Sequence, residues 1–170
     1  MIAAVVGPES SGKTTLAMQL AKRFEAPWLP EFARGYLAGR PAYDEADLER
    51  IARGQLAAEQ ALLAAQHPLV VLDTDLIVIH VWWQEKYGHV PAWVAEHLRG
   101  QAARCYLLAQ PDLVWEPDPL RESPGDRERL LDVYRAVLDR YGYPFSEISG
   151  QGEARYQQAE ARIQQALGSE

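Results

Sequence analysis

The side chains best suited to chemistry lie near the start of the chain, in a glycine-rich segment that contains a lysine and a threonine. The segment fits the pattern G-x-x-x-x-G-K-[ST] at every fixed position. In this pattern, backbone N–H groups surround phosphate oxygens, Lys13 reaches the β- and γ-phosphates, and the Thr14 hydroxyl coordinates Mg²⁺. The predicted nucleotide-binding residues are Gly7, Glu9, Ser10, Ser11, Gly12, Lys13, Thr14 and Thr15.

A second candidate group is a pair of aspartates that follows an apolar run at residues 69–72. A carboxylate at the carboxyl end of a strand beside a phosphate loop holds Mg²⁺, usually through water. We predict this metal role for Asp73, with a helix N-cap as the alternative. Asp75 could cap a helix or bind the acceptor substrate.

Glu31 and Arg34 follow the second apolar run, which this class of fold is expected to place beside the first strand. Glu31 could act catalytically by accepting the proton of an acceptor hydroxyl, and Arg34 could steady the substrate or the γ-phosphate. An ordinary i,i+3 ion pair on a surface helix is an equal alternative.

Arginines cluster within roughly residues 115–130, after the fourth apolar run. A mobile segment of this kind suits a lid that closes over ATP. Arg121 and Arg127 would then stabilise negative charge on the transferring phosphoryl group. We expect Arg129 to be an ordinary surface residue.

Two further features could line binding pockets, one for the adenine ring and one for the acceptor substrate. Arg155 belongs to a glycine-containing segment, residues 150–155, that could admit the adenine ring, although a plain strand-to-helix loop fits it nearly as well. Trp82 is one of four aromatic side chains (Trp or Tyr) within residues 82–93. Such rings suit a flat or cationic heterocycle, but we expect most of them to pack in the core, with Trp82 in the pocket.

These residues must be positioned by strands and helices that alternate along the chain. The apolar runs do not alternate cleanly with polar residues, which is typical of an α/β fold with a parallel sheet covered on both faces. The predicted strands are residues 2–6, 28–30, 69–72, 106–108 and 145–148. The predicted helices are residues 13–24, 44–66, 93–103, a segment from Pro124, capped by Ser123, to Gly142, and residues 155–167. Gly54 inside the second helix is either tolerated or marks the close approach of another backbone or a ligand.

Length and charge narrow the class of protein. A chain of 170 residues fits one domain, and a net charge of −7 argues against binding to a nucleic-acid backbone. One cysteine, no signal-peptide pattern and no membrane-length apolar stretch predict a cytoplasmic protein that is not bound to a membrane. Because there is no Asn, the guanine-recognition motif of GTPases cannot occur, and a small-molecule kinase is the remaining expectation.

Several segments together resemble the ribosylnicotinamide kinase domain of bacterial NadR proteins. They are residues 7–16 (GPESSGKTTL), 31–34 (EFAR), 54–55 (GQ), 73–75 (DTD), Trp115 and 118–121 (DPLR). Their order and spacing match over essentially the whole chain. The resemblance implies a P-loop kinase fold, a three-layer α/β sandwich around a five-stranded, mostly parallel sheet with a small lid.

The resemblance also implies a reaction, in which ATP and Mg²⁺ are used to phosphorylate the 5′-hydroxyl of N-ribosylnicotinamide. It assigns Lys13 and Thr14 to phosphate and metal, Asp73 to the Mg²⁺ region, Glu31 and Arg34 to the acceptor, and Arg121 and Arg127 to the lid. Full-length members carry an adenylyltransferase before this domain. Because the phosphate loop begins at Gly7, we expect residues 1–170 to be the kinase domain alone.

Two alternatives remain open from the residues, namely another nucleoside or metabolite kinase and a non-catalytic ATP-binding switch. Lys13→Ala separates catalysis from switching, because a kinase needs this cation on the transferring phosphate. We expect acceptor-stimulated ADP release to collapse in this variant. A wild-type chain with no acceptor-stimulated transfer would favour the switch.

Overall fold

A five-stranded sheet forms the centre of the chain in a computed structural model that describes residues 1–116 and 125–168. The strands are β1 (Ile2–Val6), β2 (Trp28–Leu29), β3 (Val70–Asp73), β4 (Cys105–Ala109) and β5 (Phe145–Ile148). Their order is β2-β3-β1-β4-β5, and every neighbouring pair is parallel. The predicted parallel α/β sheet is confirmed. The expected place of β2 was wrong, because β3 lies between β2 and the P-loop strand β1.

Helices cover both faces of this sheet within the described residues. They are α1 (Lys13–Arg23), α2 (Phe32–Leu37), α3 (Glu45–Ala64), α4 (Leu76–Tyr87), α5 (Ala92–Gly100), α6 (Arg127–Arg140) and α7 (Gly152–Leu167). Side chains of α1 and α7 pack on one face, and those of α2 to α6 form a larger core on the other. This is the predicted three-layer sandwich. None of the described helices is both long and apolar enough to cross a membrane.

Helix α4 was not predicted, because its first turns carry no amphipathic pattern. Residues 76–81 are all buried, since α3, α5 and α6 surround this helix. A helix that is buried on all sides has no polar face to reveal its period. Helix α6 begins at Arg127, with Asp126 at its N-cap, so the predicted start at Pro124 was wrong. Ser123 and Pro124 themselves lie outside the described residues.

The packing of α2 on α3 explains why a glycine lies in the middle of a helix. A Cβ atom at Gly54 would lie 2.3 Å from the Cε1 and Cζ atoms of Phe32. The close neighbour is therefore an aromatic ring of α2, rather than a backbone or a ligand. This contact holds α2 against α3 directly after Glu31, one of the predicted site residues.

Gly54→Ala should lower the free energy of unfolding by about 1–3 kcal/mol, because the added methyl group displaces the Phe32 ring. Urea denaturation measures this change. The matched control is Gly35→Ala, since Gly35 is also helical and a Cβ there meets nothing within 4 Å. Alanine is favoured over glycine in a helix by about 0.5–1 kcal/mol, so the control should be neutral or stabilised. If both variants gain stability, the proposed contact with Phe32 does not constrain the helix.

Candidate active site

The loop between β1 and α1 has the backbone conformation of a phosphate cradle. Ser10 and Gly12 have φ angles of 54° and 74°, which turn successive N–H groups towards a common concavity. Lys13 Nζ donates to the carbonyl oxygens of Gly7 (2.9 Å) and Pro8 (2.6 Å), so its ammonium group lies against the loop. The predicted phosphate loop therefore has the geometry that its sequence requires.

Arg155 supports this loop from behind. Its guanidinium donates to the carbonyl oxygens of Ser11 (2.6 Å) and Gln110 (3.0 Å) and pairs with Asp112 at 2.6 Å. The side chain is buried and lines neither of the cavities described below. In this structure Arg155 holds the carbonyl side of the loop, and its direct contact with the nucleotide stays a prediction.

Two cavities meet beside the phosphate loop. The phosphate cavity, about 580 Å³, is bounded by residues 9–15 and by Glu31, Arg34, Leu113, Val114 and Glu116. The second, the Trp82 cavity, has a volume of about 340 Å³ and is lined by Trp82, Val78, Val81, Glu85, Leu130 and Tyr134, among others. Glu9, Lys13 and Glu31 line both cavities. A molecule in one cavity would therefore face a molecule in the other across these three side chains.

Glu31 and Arg34 lie where the phosphate cavity meets α2. Glu31 is the N-cap residue of α2, and its Oε2 atom is 3.1 Å from Arg34 Nε. From the sequence, a surface ion pair and a place in the site were alternatives for Glu31 and Arg34. The structure has both, because the two residues form the i,i+3 ion pair and line the phosphate cavity. The pair places an acid and a cation at the edge of the phosphate cavity.

Asp73 ends β3 as a buried carboxylate. Within the described residues, neither of its oxygens has a hydrogen-bond partner of ordinary geometry. Burial raises the pKa of Asp73, and this outweighs the opposing influence of the nearby Thr14 hydroxyl and the Lys13 and Arg34 cations. Mg²⁺ takes one or two protein oxygens and fills its remaining positions with phosphates and water. Asp73 and Thr14 fit such an ion, which would relieve the cost of the buried charge.

Asp75 has a different role from its neighbour. Its Oδ1 accepts the Ile77 N–H at 2.9 Å and so caps α4, while Oδ2 accepts from Arg104 (3.0 Å) and from the Tyr106 hydroxyl (2.7 Å). The side chain is fully buried and lines neither cavity. The helix cap that the sequence offered for Asp75 is present at the start of α4, and its contact with the acceptor stays a prediction.

The described ends of the predicted lid lie against the phosphate loop. Arg127 Nη1 donates to the carbonyl oxygens of Ser10 (3.3 Å) and Leu113 (2.9 Å). On the other side of the gap, the Trp115 indole donates to Glu9 at 3.3 Å. Arg121 and the rest of residues 117–124 lie outside the described residues, so the lid remains a prediction.

Several residues that line the Trp82 cavity were not predicted as site residues, among them Glu85, Arg129 and Tyr134. Arg129, expected on the ordinary surface, pairs with Glu85 on α4 at 2.5 Å. Tyr134 is buried, and burial together with nearby carboxylates raises its pKa. In sequence, Tyr134 belongs to the apolar stripe of α6 and so resembles a core residue. Trp82 lines the cavity as predicted, and its indole donates to the Tyr43 hydroxyl at 2.8 Å.

The parallel sheet, the phosphate loop after β1 and the buried acid after β3 define a P-loop nucleotide-binding domain. A family model described as an AAA domain, AAA_28, matches residues 3–155. The chain therefore belongs to this family of AAA domains.

The chain is similar to NadR proteins in sequence and in fold. It is 22% identical to the trifunctional NAD biosynthesis/regulator protein NadR of Escherichia coli (strain K12), over 98% of the chain and 43% of that protein. A crystal structure of NadR protein in complex with NR has a TM-score of 0.78 and 24% identity, over 98% of this chain and 51% of that one. The chain thus spans about half, or less, of the length of these relatives.

A deoxyadenosine kinase from M. mycoides shares the fold more distantly. Its structure has a TM-score of 0.53 and 12% identity, over the full length of both chains. These neighbours confirm the predicted P-loop kinase-like fold.

Asp73→Asn should stabilise the ligand-free protein at neutral pH, by about 1 kcal/mol or more, because it removes a buried charge. The raised pKa means that the folded chain binds a proton at a higher pH than the unfolded chain. Wild-type stability therefore falls as the pH rises through the window between the ordinary and the raised pKa. Below that window, the difference between the two proteins should shrink.

Urea unfolding at several pH values measures this difference, and thermal unfolding with Mg²⁺ and ADP measures the metal role. The variant should gain less stability from Mg²⁺ than the wild type, because an amide replaces a carboxylate ligand. Equal stabilisation of both proteins by Mg²⁺ and ADP would contradict the metal role of Asp73.

Proposed function

We propose that the chain is an ATP-dependent kinase that phosphorylates the 5′-hydroxyl of N-ribosylnicotinamide and yields nicotinamide mononucleotide. The observation that carries this proposal is the meeting of the two cavities at Glu9, Lys13 and Glu31. A switch needs a phosphate site alone. A kinase also needs a second site, which holds an acceptor molecule with its hydroxyl group facing the γ-phosphate. The Trp82 cavity provides space for such an acceptor.

The phosphate cavity supplies the donor side of this reaction. The N–H groups of the loop and Lys13 would hold the phosphates of ATP and stabilise charge as the γ-phosphoryl group leaves. Mg²⁺, when bound by Thr14 and Asp73, would neutralise phosphate charge. Arg155 keeps the loop ready for the nucleotide through its bond to the Ser11 carbonyl.

Glu31 is our proposed general base. It lies at the junction of the cavities, where a carboxylate could accept the proton of the attacking hydroxyl. Arg34, whose Nε atom is 3.1 Å from Glu31 Oε2, would hold the Glu31 carboxylate in place and could contact the γ-phosphate. Asp73 is the weaker candidate for the base, because its position and unpartnered oxygens suit the metal.

The Trp82 cavity has the chemistry to hold a ribosylated pyridine. Trp82 and Tyr134 offer aromatic surface, and three carboxylates, Glu9, Glu31 and Glu85, line the same space. The pyridine ring of N-ribosylnicotinamide carries a positive charge, which aromatic faces favour. The three carboxylates are matched by Lys13, Lys86 and Arg129 in the same lining, so the proposal rests on the aromatic surface. The similar NadR structure with bound NR supports the same acceptor.

Within this proposal, residues 1–170 act as one cytoplasmic kinase domain, with a lid of roughly residues 115–130. Arg127 would turn from the Ser10 carbonyl to the phosphates when ATP binds. Arg121, in the part of the lid outside the described residues, would join it.

A coupled assay of ADP release tests the acceptor, with N-ribosylnicotinamide, thymidine and shikimate compared at equal concentration. We expect N-ribosylnicotinamide to have the highest kcat/KM. Transfer to thymidine or shikimate without transfer to N-ribosylnicotinamide would overturn the substrate and keep the kinase.

Glu31→Gln tests the base in the same assay. We expect kcat to fall by about 10²- to 10⁴-fold, with the KM for ATP within about twofold of the wild-type value. Glu96→Gln on α5 is the matched control, because Glu96 is exposed and lines neither cavity. If the two variants have equal kcat, Glu31 is not the base.

A further inference from the structure

A buried glutamine on α3 joins the two loops that carry the acids of the site. Gln55 is 1% exposed. Its Oε1 atom accepts the Phe32 N–H at 2.9 Å, and its Nε2 atom donates to the Thr74 carbonyl oxygen at 3.4 Å. Phe32 directly follows Glu31, and Thr74 directly follows Asp73. One side-chain amide therefore links the backbone beside each of the two carboxylates.

The bond from the Phe32 N–H to Gln55 takes the place of a bond to the N-cap side chain at the start of α2. The first N–H groups of a helix have no partner within the helix and often bond to the N-cap side chain. In the described structure, the N-cap residue Glu31 makes no such bond to α2, and Gln55 satisfies the Phe32 N–H instead. The carboxylate of Glu31 can then pair with Arg34 and line both cavities.

The bond to Thr74 supports a strained backbone. Thr74 has a φ angle of 71°, a left-handed backbone conformation that is unfavourable for a residue with a Cβ atom. Its N–H donates to the Val5 carbonyl oxygen at 3.1 Å, while its own carbonyl accepts from Gln55. The two peptide groups that flank the Thr74 Cα atom are thus held, one by β1 and the other by α3.

We propose that Gln55 is a positioning residue for phosphoryl transfer, whose amide fixes the carboxylates of Glu31 and Asp73 relative to each other. This inference rests on the proposed kinase function. The two bonds require one acceptor and one donor on the same planar group, which an amide supplies. The Phe32 ring packed on the neighbouring Gly54 holds α2 in the same place.

Gln55→Glu tests the need for both a hydrogen-bond donor and an acceptor, because a carboxyl group has a donor only when it is protonated. A carboxylate has only acceptors and cannot donate to the Thr74 carbonyl, whereas a protonated carboxyl group offers both a donor and an acceptor. Ionisable groups on the surrounding elements are Glu31, Arg34, Asp73, Asp75, Glu59 and Arg104. Burial and the nearby carboxylates should raise the pKa of the introduced group.

The experiment compares Gln55→Glu and Gln55→Met with the wild type, with kcat expressed per nucleotide-binding site. At about pH 8, both variants should lose roughly 10- to 100-fold in kcat, while the KM for ATP changes by less than about threefold. As the pH falls to about 5.5, the kcat of Gln55→Glu should recover relative to the wild type. The ratio of the Gln55→Met kcat to the wild-type kcat should stay constant, because methionine cannot gain a hydrogen-bond donor.

Gln60→Glu is the matched control, since Gln60 is exposed on the same helix. Its kcat should equal that of the wild type at every pH. Equal kcat for wild type and Gln55→Met, or a ratio for Gln55→Glu that does not depend on pH, would overturn the positioning role. A merely structural role would reduce the number of binding sites without producing this recovery.

Amide hydrogen exchange separates failure of this inference from failure of the proposed function. A wild-type chain without acceptor phosphorylation would overturn the kinase. The Phe32 amide should still exchange faster in Gln55→Met than in the wild type, because its acceptor is gone. Unchanged exchange at Phe32 would overturn the role of Gln55 whatever the reaction proves to be.

Discussion

The carboxylate of Asp73, buried at the end of β3 beside the phosphate loop, is the group on which the site depends. Parallel pairing places Asp73 opposite Val5, so the acid and the loop that follows β1 leave the sheet at the same edge. Without a cation beside it, a buried carboxylate opposes folding. The two cores on either side of the sheet must therefore supply stability that this charge removes. The group that costs stability is also the one that would attract Mg²⁺.

Buried polar side chains hold the loops around this charge. Arg155 contacts the phosphate loop from α7, Gln55 contacts the two acid-bearing loops from α3, and Arg104 joins Asp75 to Glu59. Most of these bonds are made to backbone carbonyl or N–H groups. A side chain that bonds to the backbone fixes the path of a loop and so helps to position the candidate site residues on it, such as Glu31 and Asp73.

The strands and the phosphate loop could be predicted because their signals are local. A few neighbouring residues are enough to recognise the apolar run that ends in Asp73 and the glycine-rich segment before Lys13. Helix α4 could not be predicted, because its burial depends on three other helices.

The same limit explains which interactions of the predicted site residues could not be read from the sequence. Asp75 and Arg155 have residue types suited to a site, but their direction is decided by Arg104 and Asp112, which are distant in sequence. Gln55 gave no signal beyond its place in the resemblance, since its two partners lie 23 and 19 residues away. Local sequence patterns thus identify side chains with reactive groups, whereas the tertiary fold determines which of these side chains lie together.

Under the proposed function, the two cavities would separate donor chemistry from acceptor choice, although Glu9, Lys13 and Glu31 line both. The phosphate cavity depends largely on main-chain geometry, with φ angles at Ser10 and Gly12 that few sequences allow. The Trp82 cavity is lined mostly by side chains of α4 and α6, which pair across it through Glu85 and Arg129. Substitutions on these helices can change the shape and charge of the acceptor space while the loop stays intact. Glu31 lines both cavities, so under the same proposal its carboxylate would contact both the phosphate and the acceptor.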